Sequence, residues 1–114
     1  MSDETSITHA LKVLNPLNLA LEDAFWDTCE LQVKDRIFDL VISVHAELNE
    51  LAKLSVSDLD MPYEPITREF AESCIKLSIL MDNVDNWFPR TSTAAKLKQS
   101  LPEAAGLLKE CMLY

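Results

Sequence analysis

A chain of 114 residues has room for one domain with a core, residues 1-114, and too little for two. Its net charge of -9 argues against a nucleic-acid partner, because a phosphate backbone is bound by clustered Lys and Arg and no such cluster occurs. One glycine, five prolines and 48% hydrophobic residues, without long β-branched or aromatic runs, point to an all-α fold: a small helical bundle with proline-marked breaks.

The opening MSDETSITHA has neither a basic stretch nor an apolar one, and no apolar run approaches the roughly 20 residues that cross a bilayer. A soluble, cytoplasmic protein without a membrane partner is the expectation. Cys29, Cys74 and Cys111 are odd in number and carry no C-x-x-C spacing, which disfavours a zinc site or a disulfide framework. They read as reduced, buried thiols.

In chain order, ITHALKVL is a short amphipathic stretch that Asn15-Pro16 should end. The pattern resumes at Leu17, through LALEDAFWDTCELQ, and leads into a longer helix over roughly Val33 to Leu54. SVSDLDMPYEPIT then interrupts with Ser, Asp and two prolines. Thr67 is a suitable N-cap for a second long helix, Arg68 to about Phe88, which Pro89 closes. RTSTAAKLKQSL and PEAAGLLKECMLY supply one or two shorter helices, with Pro102 at a natural first helical position.

Glu47 and Glu50 stand three apart, on one flank of the stripe formed by Ile37, Leu40, Val41, Val44, Leu48 and Leu51. Glu69 and Glu72 repeat the spacing near the start of the second long helix. There Phe70, Cys74, Leu77, Met81, Val84 and Phe88 make one apolar face, and Ile75 and Ile79 lie on another side. If the two helices pack antiparallel across the proline-containing connection, both acidic pairs converge. The flank of Glu47 and Glu50 borders the core, so partial burial is the expectation there, against the commoner role of such a pair as a solvated helix shoulder.

The pattern E-x-x-E, spacer, E-x-x-acid on two long helices resembles the MazG-type all-α nucleoside triphosphate pyrophosphohydrolases, a group that includes dimeric dUTPases. VHAELNELAKL is similar to that family's first metal helix and REFAESCIKLSILMDNVDNW to its second, so the resemblance covers about Phe25 to Trp87. It implies Mg²⁺-dependent hydrolysis of a nucleoside triphosphate to the monophosphate and pyrophosphate, with Mn²⁺ as a substitute ion. By motif position Glu47, Glu50, Glu69 and Glu72 would be metal ligands, and one would take a proton from the metal-bound water. It also implies a homo-oligomer, a dimer or tetramer, an assembly for which the two apolar sides of the second helix argue independently.

Two positions depart from the family pattern. Glu72 stands where Asp is usual, which moves the carboxylate by about 1.5 Å, and Ala46 stands where many members carry a further acid. Lys53 and Lys76 are candidate phosphate contacts, against the commoner role of partners for nearby glutamates. Phe25 and Trp26 are candidate base-stacking residues, against core packing. Asp82 and Asp85 read as surface acids, and His45 and His9 carry little signal. The competing function is a non-catalytic helical module that dimerises or binds a partner helix through an exposed apolar face.

Overall fold

A computed structural model describes residues 6-108. It contains α1 (Ile7–Asp27), α2 (Leu31–Leu51), a 3₁₀ turn (Val56–Asp58), the one-turn α3 (Arg68–Ala71), α4 (Cys74–Trp87) and α5 (Thr91–Gly106). Among the described residues there is no strand, and the fold is all-α as composition requires.

Three-residue links join α1 to α2 and α4 to α5, too short for anything but antiparallel neighbours. Cross-helix pairs give the remaining directions. Glu22 meets His45 between α1 and α2, Asp23 meets Lys96 between α1 and α5, Asp85 meets Lys98 between α4 and α5, and Lys76 reaches toward Asp39 between α4 and α2. The four long helices thus form an up-down-up-down bundle in the spatial order α2, α1, α5, α4. The seam that closes the ring, α2 against α4, is the loosest of the four.

The core follows from helical spacing. In α1 the buried residues Ala10, Val13, Leu14, Leu17, Ala20, Leu21 and Ala24 recur three and four apart, which keeps them on one face. They meet Ile37, Leu40 and Leu51 from α2, Leu77 and Leu80 from α4, and Leu97 and Leu101 from α5. Phe70 and Phe88 are the largest wholly buried side chains. Each such side chain contributes about 1.5–3 kcal/mol relative to exposure.

Two prolines do not break the chain where expected. α1 runs unbroken through Pro16, and α5 runs through Pro102, which is interior to one continuous helix and not its first residue. Both rings sit on the exposed side of their helices, and the residues four before them, Lys12 and Lys98, are exposed too. Water can therefore serve the carbonyl that loses its N–H partner, while the buried face keeps its packing.

The second long helix, in contrast, is interrupted where continuity was expected. Thr67 is its N-cap as read from the sequence, accepting from the Phe70 N–H. After one turn the backbone leaves the helix at Glu72 and Ser73, near ψ 10° and 4°. The buried Ser73 donates its hydroxyl to the Phe70 carbonyl at 2.7 Å, and its own N–H bonds the same oxygen at 3.1 Å. A side chain competing for a backbone acceptor in this way ends a helix. α4 starts anew at Cys74, so Glu69 and Glu72 belong to a single turn and not to a long helix.

The cysteines also differ from the reading of three reduced, buried thiols. Cys29 is free but exposed, and the buried Cys74 is disulfide-bonded; Cys111 lies outside the described residues. The inference of a reducing compartment loses that support. Among the described residues no helix is long and apolar enough to cross a membrane.

Candidate functional site

Glu47 has no exposed surface at all. Its carboxylate accepts from four donors: the Tyr63 hydroxyl at 2.5 Å, the Ile66 N–H at 2.8 Å, the Thr67 N–H at 2.8 Å and the Thr67 hydroxyl at 2.9 Å. A buried carboxylate is tolerated only when its lone pairs are met in this way. Tyr63, itself buried, is held protonated: desolvation by burial first, then the hydrogen bond to Glu47 and its charge, push the phenol well above its ordinary range. The hydroxyl therefore donates to the Glu47 carboxylate.

This arrangement closes the connection between α2 and α4. The same segment offers carbonyls in the other direction, where the Ile7 N–H bonds Met61 O and the Thr8 N–H and hydroxyl bond Leu59 O, all at 3.0 Å. The first turn of α1, whose N–H groups have no helical partner, is capped by the loop. Residues 59-67 thus tie the start of α1 to the end of α2, with Glu47 at the centre of the tie. Thr67 links the tie to α3, because its hydroxyl donates to Glu47 while accepting from Phe70.

The other proposed ligands lie elsewhere. Glu50 pairs with Lys53 at 2.7 Å on the surface, so Lys53 is a glutamate partner. Glu72 pairs with Arg68 at 3.4 Å with both side chains largely exposed, and Glu69 is exposed. Lys76 points toward Asp39 at 4.0 Å, and Asp85 is bound by Lys98. Among the described residues no three His, Cys, Asp or Glu side chains are grouped so as to hold a metal ion. Magnesium takes a near-octahedral set of oxygens with free lone pairs, and Glu47 would have to give up its donors to join one. The donor set present does not fit the ion.

A second apolar row, outside the stripe of Ile37, Leu40, Val41, Val44, Leu48 and Leu51, stands on the opposite side of α2. Leu31, Phe38 and Ile42, 72%, 51% and 48% exposed, recur at spacings of seven and four, within about 40° of one another on a wheel of 100° per residue. The buried residues Val33, Ile37, Leu40 and Val44 occupy the opposite side. Helix α2 is therefore apolar on two faces, and the spacing was available in the sequence as a second, weaker periodicity.

Trp26 extends this surface from α1. At 79% exposure it is not core, and its ring stands edge-on to Phe25 at 5.1 Å, with Phe25 in turn 6.1 Å from Phe38. Lys34 sits 4.3 Å above the Phe25 ring and donates to the Phe25 carbonyl at 2.6 Å, so its charge is tied down and its stem joins the apolar patch. Asp35 and Asp39 border the stripe on the side away from α1. On α4, Ile75 is also exposed, while Ile79 is half-buried beside the cleft between α2 and α4. No family model, curated protein or solved structure matches the chain.

Proposed function

We propose that this protein is a helical interaction module whose contact surface is the outer face of α2 together with Trp26. The observation that carries the reading is the row Leu31, Phe38, Ile42, exposed along a helix whose opposite side already fills the core. Large apolar side chains arranged as a continuous stripe, with an aromatic cluster at one end, are the usual mark of a surface that binds another protein. Homo-oligomerisation belongs within this reading as one form of contact.

Nucleoside triphosphate hydrolysis with Mg²⁺ or Mn²⁺ is the less favoured reading. It requires Glu47 as a ligand, and the bonds to Tyr63, Ile66 and Thr67 support a structural role for that carboxylate instead. Two measurements test the choice. Sedimentation and binding to amphipathic helical peptides, each with the parent chain and Phe38→Ser, should reveal an association that the substitution weakens. A panel of nucleotides with Mg²⁺ should release no pyrophosphate; release abolished by Glu50→Gln would return the hydrolase reading.

A further inference from the structure

The charges around the stripe narrow the identity of the partner. We infer that the outer face of α2 receives a basic amphipathic helix of another protein, with its apolar side on Leu31, Phe38 and Ile42 and its lysines or arginines beside Asp35 and Asp39. This rests on the interaction reading above. From Leu31 to Ile42 the stripe runs eleven residues, about 16 Å of helix, which is a length that three turns of a partner helix cover. Helix-in-groove recognition uses anchors at this kind of spacing.

The sign of the partner's charge follows from the groups beside the stripe. Asp35 is exposed and forms no ion pair among the described residues, and Asp39 has only the Lys76 ammonium at 4.0 Å. Glu30 adds another exposed carboxylate next to Leu31. The nearby cations do not neutralise the Asp35 side: Lys34 is held on the Phe25 carbonyl and ring, and the exposed Arg36 lies about 120° or more round the helix from the stripe, beside the cleft with α4. His45 continues the stripe on the other flank, against Glu22 at 3.9 Å, and becomes cationic only when protonated. The whole chain, at -9, adds a field that draws in cations from a distance.

The same charges weigh against other occupants. A second copy packed antiparallel would set Asp35 and Asp39 against their own equivalents, and like charges across an interface suppress pairing. An anionic lipid surface is repelled for the same reason. A basic helix gains on both counts, because its apolar residues cover the stripe while its cations meet carboxylates that have no strong partner.

The test uses the whole protein and three fluorescent 18-residue amphipathic peptides of equal hydrophobicity, one with Lys on its polar face, one with Gln and one with Glu. Anisotropy should show binding of the Lys peptide, weakened tenfold or more by Phe38→Ser and several-fold by the double change Asp35→Asn with Asp39→Asn. Ile75→Ser, which removes an exposed apolar side chain from α4, should leave it unchanged. Urea unfolding of each variant confirms that the fold is kept. Equal, Phe38-dependent binding of the Gln or Glu peptide, or Phe38-dependent self-association without peptide binding, overturns the cationic partner and leaves the interaction reading standing. Loss of Lys-peptide binding in Ile75→Ser as large as in Phe38→Ser overturns the assigned face. No Phe38-dependent association of any kind overturns both.

Discussion

The two sides of α2 put the same kinds of residue to opposite uses. On the inner side an acid, Glu47, is buried and its oxygens are met by a phenol, two amides and a threonine hydroxyl. On the outer side large apolar residues, Leu31, Phe38 and Ile42, face water. Each side inverts the ordinary distribution of polar and apolar groups, but only the inner one is compensated within the chain. A buried charge with a full set of donors is a completed structure; under the proposed interaction reading, an exposed apolar stripe is one that lacks its counterpart.

The largest expected effect breaks the inner side. Glu47→Ala removes the acceptor for four donors and should destabilise the fold by about 3 kcal/mol or more, since bonds to a charged group are worth about 1.5–3 kcal/mol each and the stranded donors add desolvation. Urea unfolding measures it. A loss under about 1 kcal/mol would mean that residues 59-67 are held by other contacts, such as those from Ile7 and Thr8.

Tyr63→Phe sharpens the same point at smaller scale. It should lower stability near neutral pH by about 1.5–3 kcal/mol, as one charge-assisted hydrogen bond is lost. The pH dependence has a definite sign. Because the folded phenol is held above its unfolded value of about 10, folding favours the protonated form, and Tyr63 contributes its stability fully below pH 10. Above that pH the unfolded chain loses the proton and the contribution falls, by up to about 1.4 kcal/mol per pH unit. The deficit of Tyr63→Phe relative to its parent should therefore shrink between pH 10 and 11. A constant deficit across that range would show that the phenol is not held protonated by Glu47 and burial.

Substitutions away from the buried face of α2 should hardly register in stability. Phe38→Ser and Glu50→Gln are each expected to lie within about 0.5 kcal/mol of the parent in urea. In the first the side chain is half exposed, and in the second the carboxylate makes a surface ion pair with Lys53. If Phe38→Ser cost as much as Tyr63→Phe, the aromatic would be supporting the Phe25 cluster and not awaiting a partner.

The sequence made much of this fold legible. Low glycine and apolar spacing of three and four are enough for an all-α bundle, and the hydroxyl of Thr67 identifies an N-cap because capping is local chemistry. Pro16 and Pro102 misled because their cost depends on whether the freed carbonyl faces water, which is set by the orientation of the helix in the bundle. The break at Ser73 depended on a competing hydroxyl bond invisible in spacing. Glu47 and Glu50, three apart, share a flank on a helical wheel. Yet 60° of helix rotation is enough to place one in the core beside Tyr63 and the other at the rim beside Lys53.

The smallest expected effect bears on the metal reading directly. An ion that binds the folded chain and hardly the unfolded one stabilises by about 2.7 kcal/mol at one hundred times its dissociation constant, which would raise the melting temperature by several degrees in a domain of this size. Four converging carboxylates would give that response, because the ion would also relieve their mutual repulsion. Here Glu47 is satisfied by its own donors, Glu50 and Glu72 face Lys53 and Arg68, and Glu69 is exposed. Mg²⁺ or Mn²⁺ should therefore raise the melting temperature no more than a monovalent salt of equal ionic strength, which screens the excess of negative charge in the same general way. Heating curves in chelator, in each divalent ion and in the matched salt compare them. A specific divalent shift that Glu50→Gln removes would show that the carboxylates can regroup around an ion, with the Glu47 tie opening to let them do so.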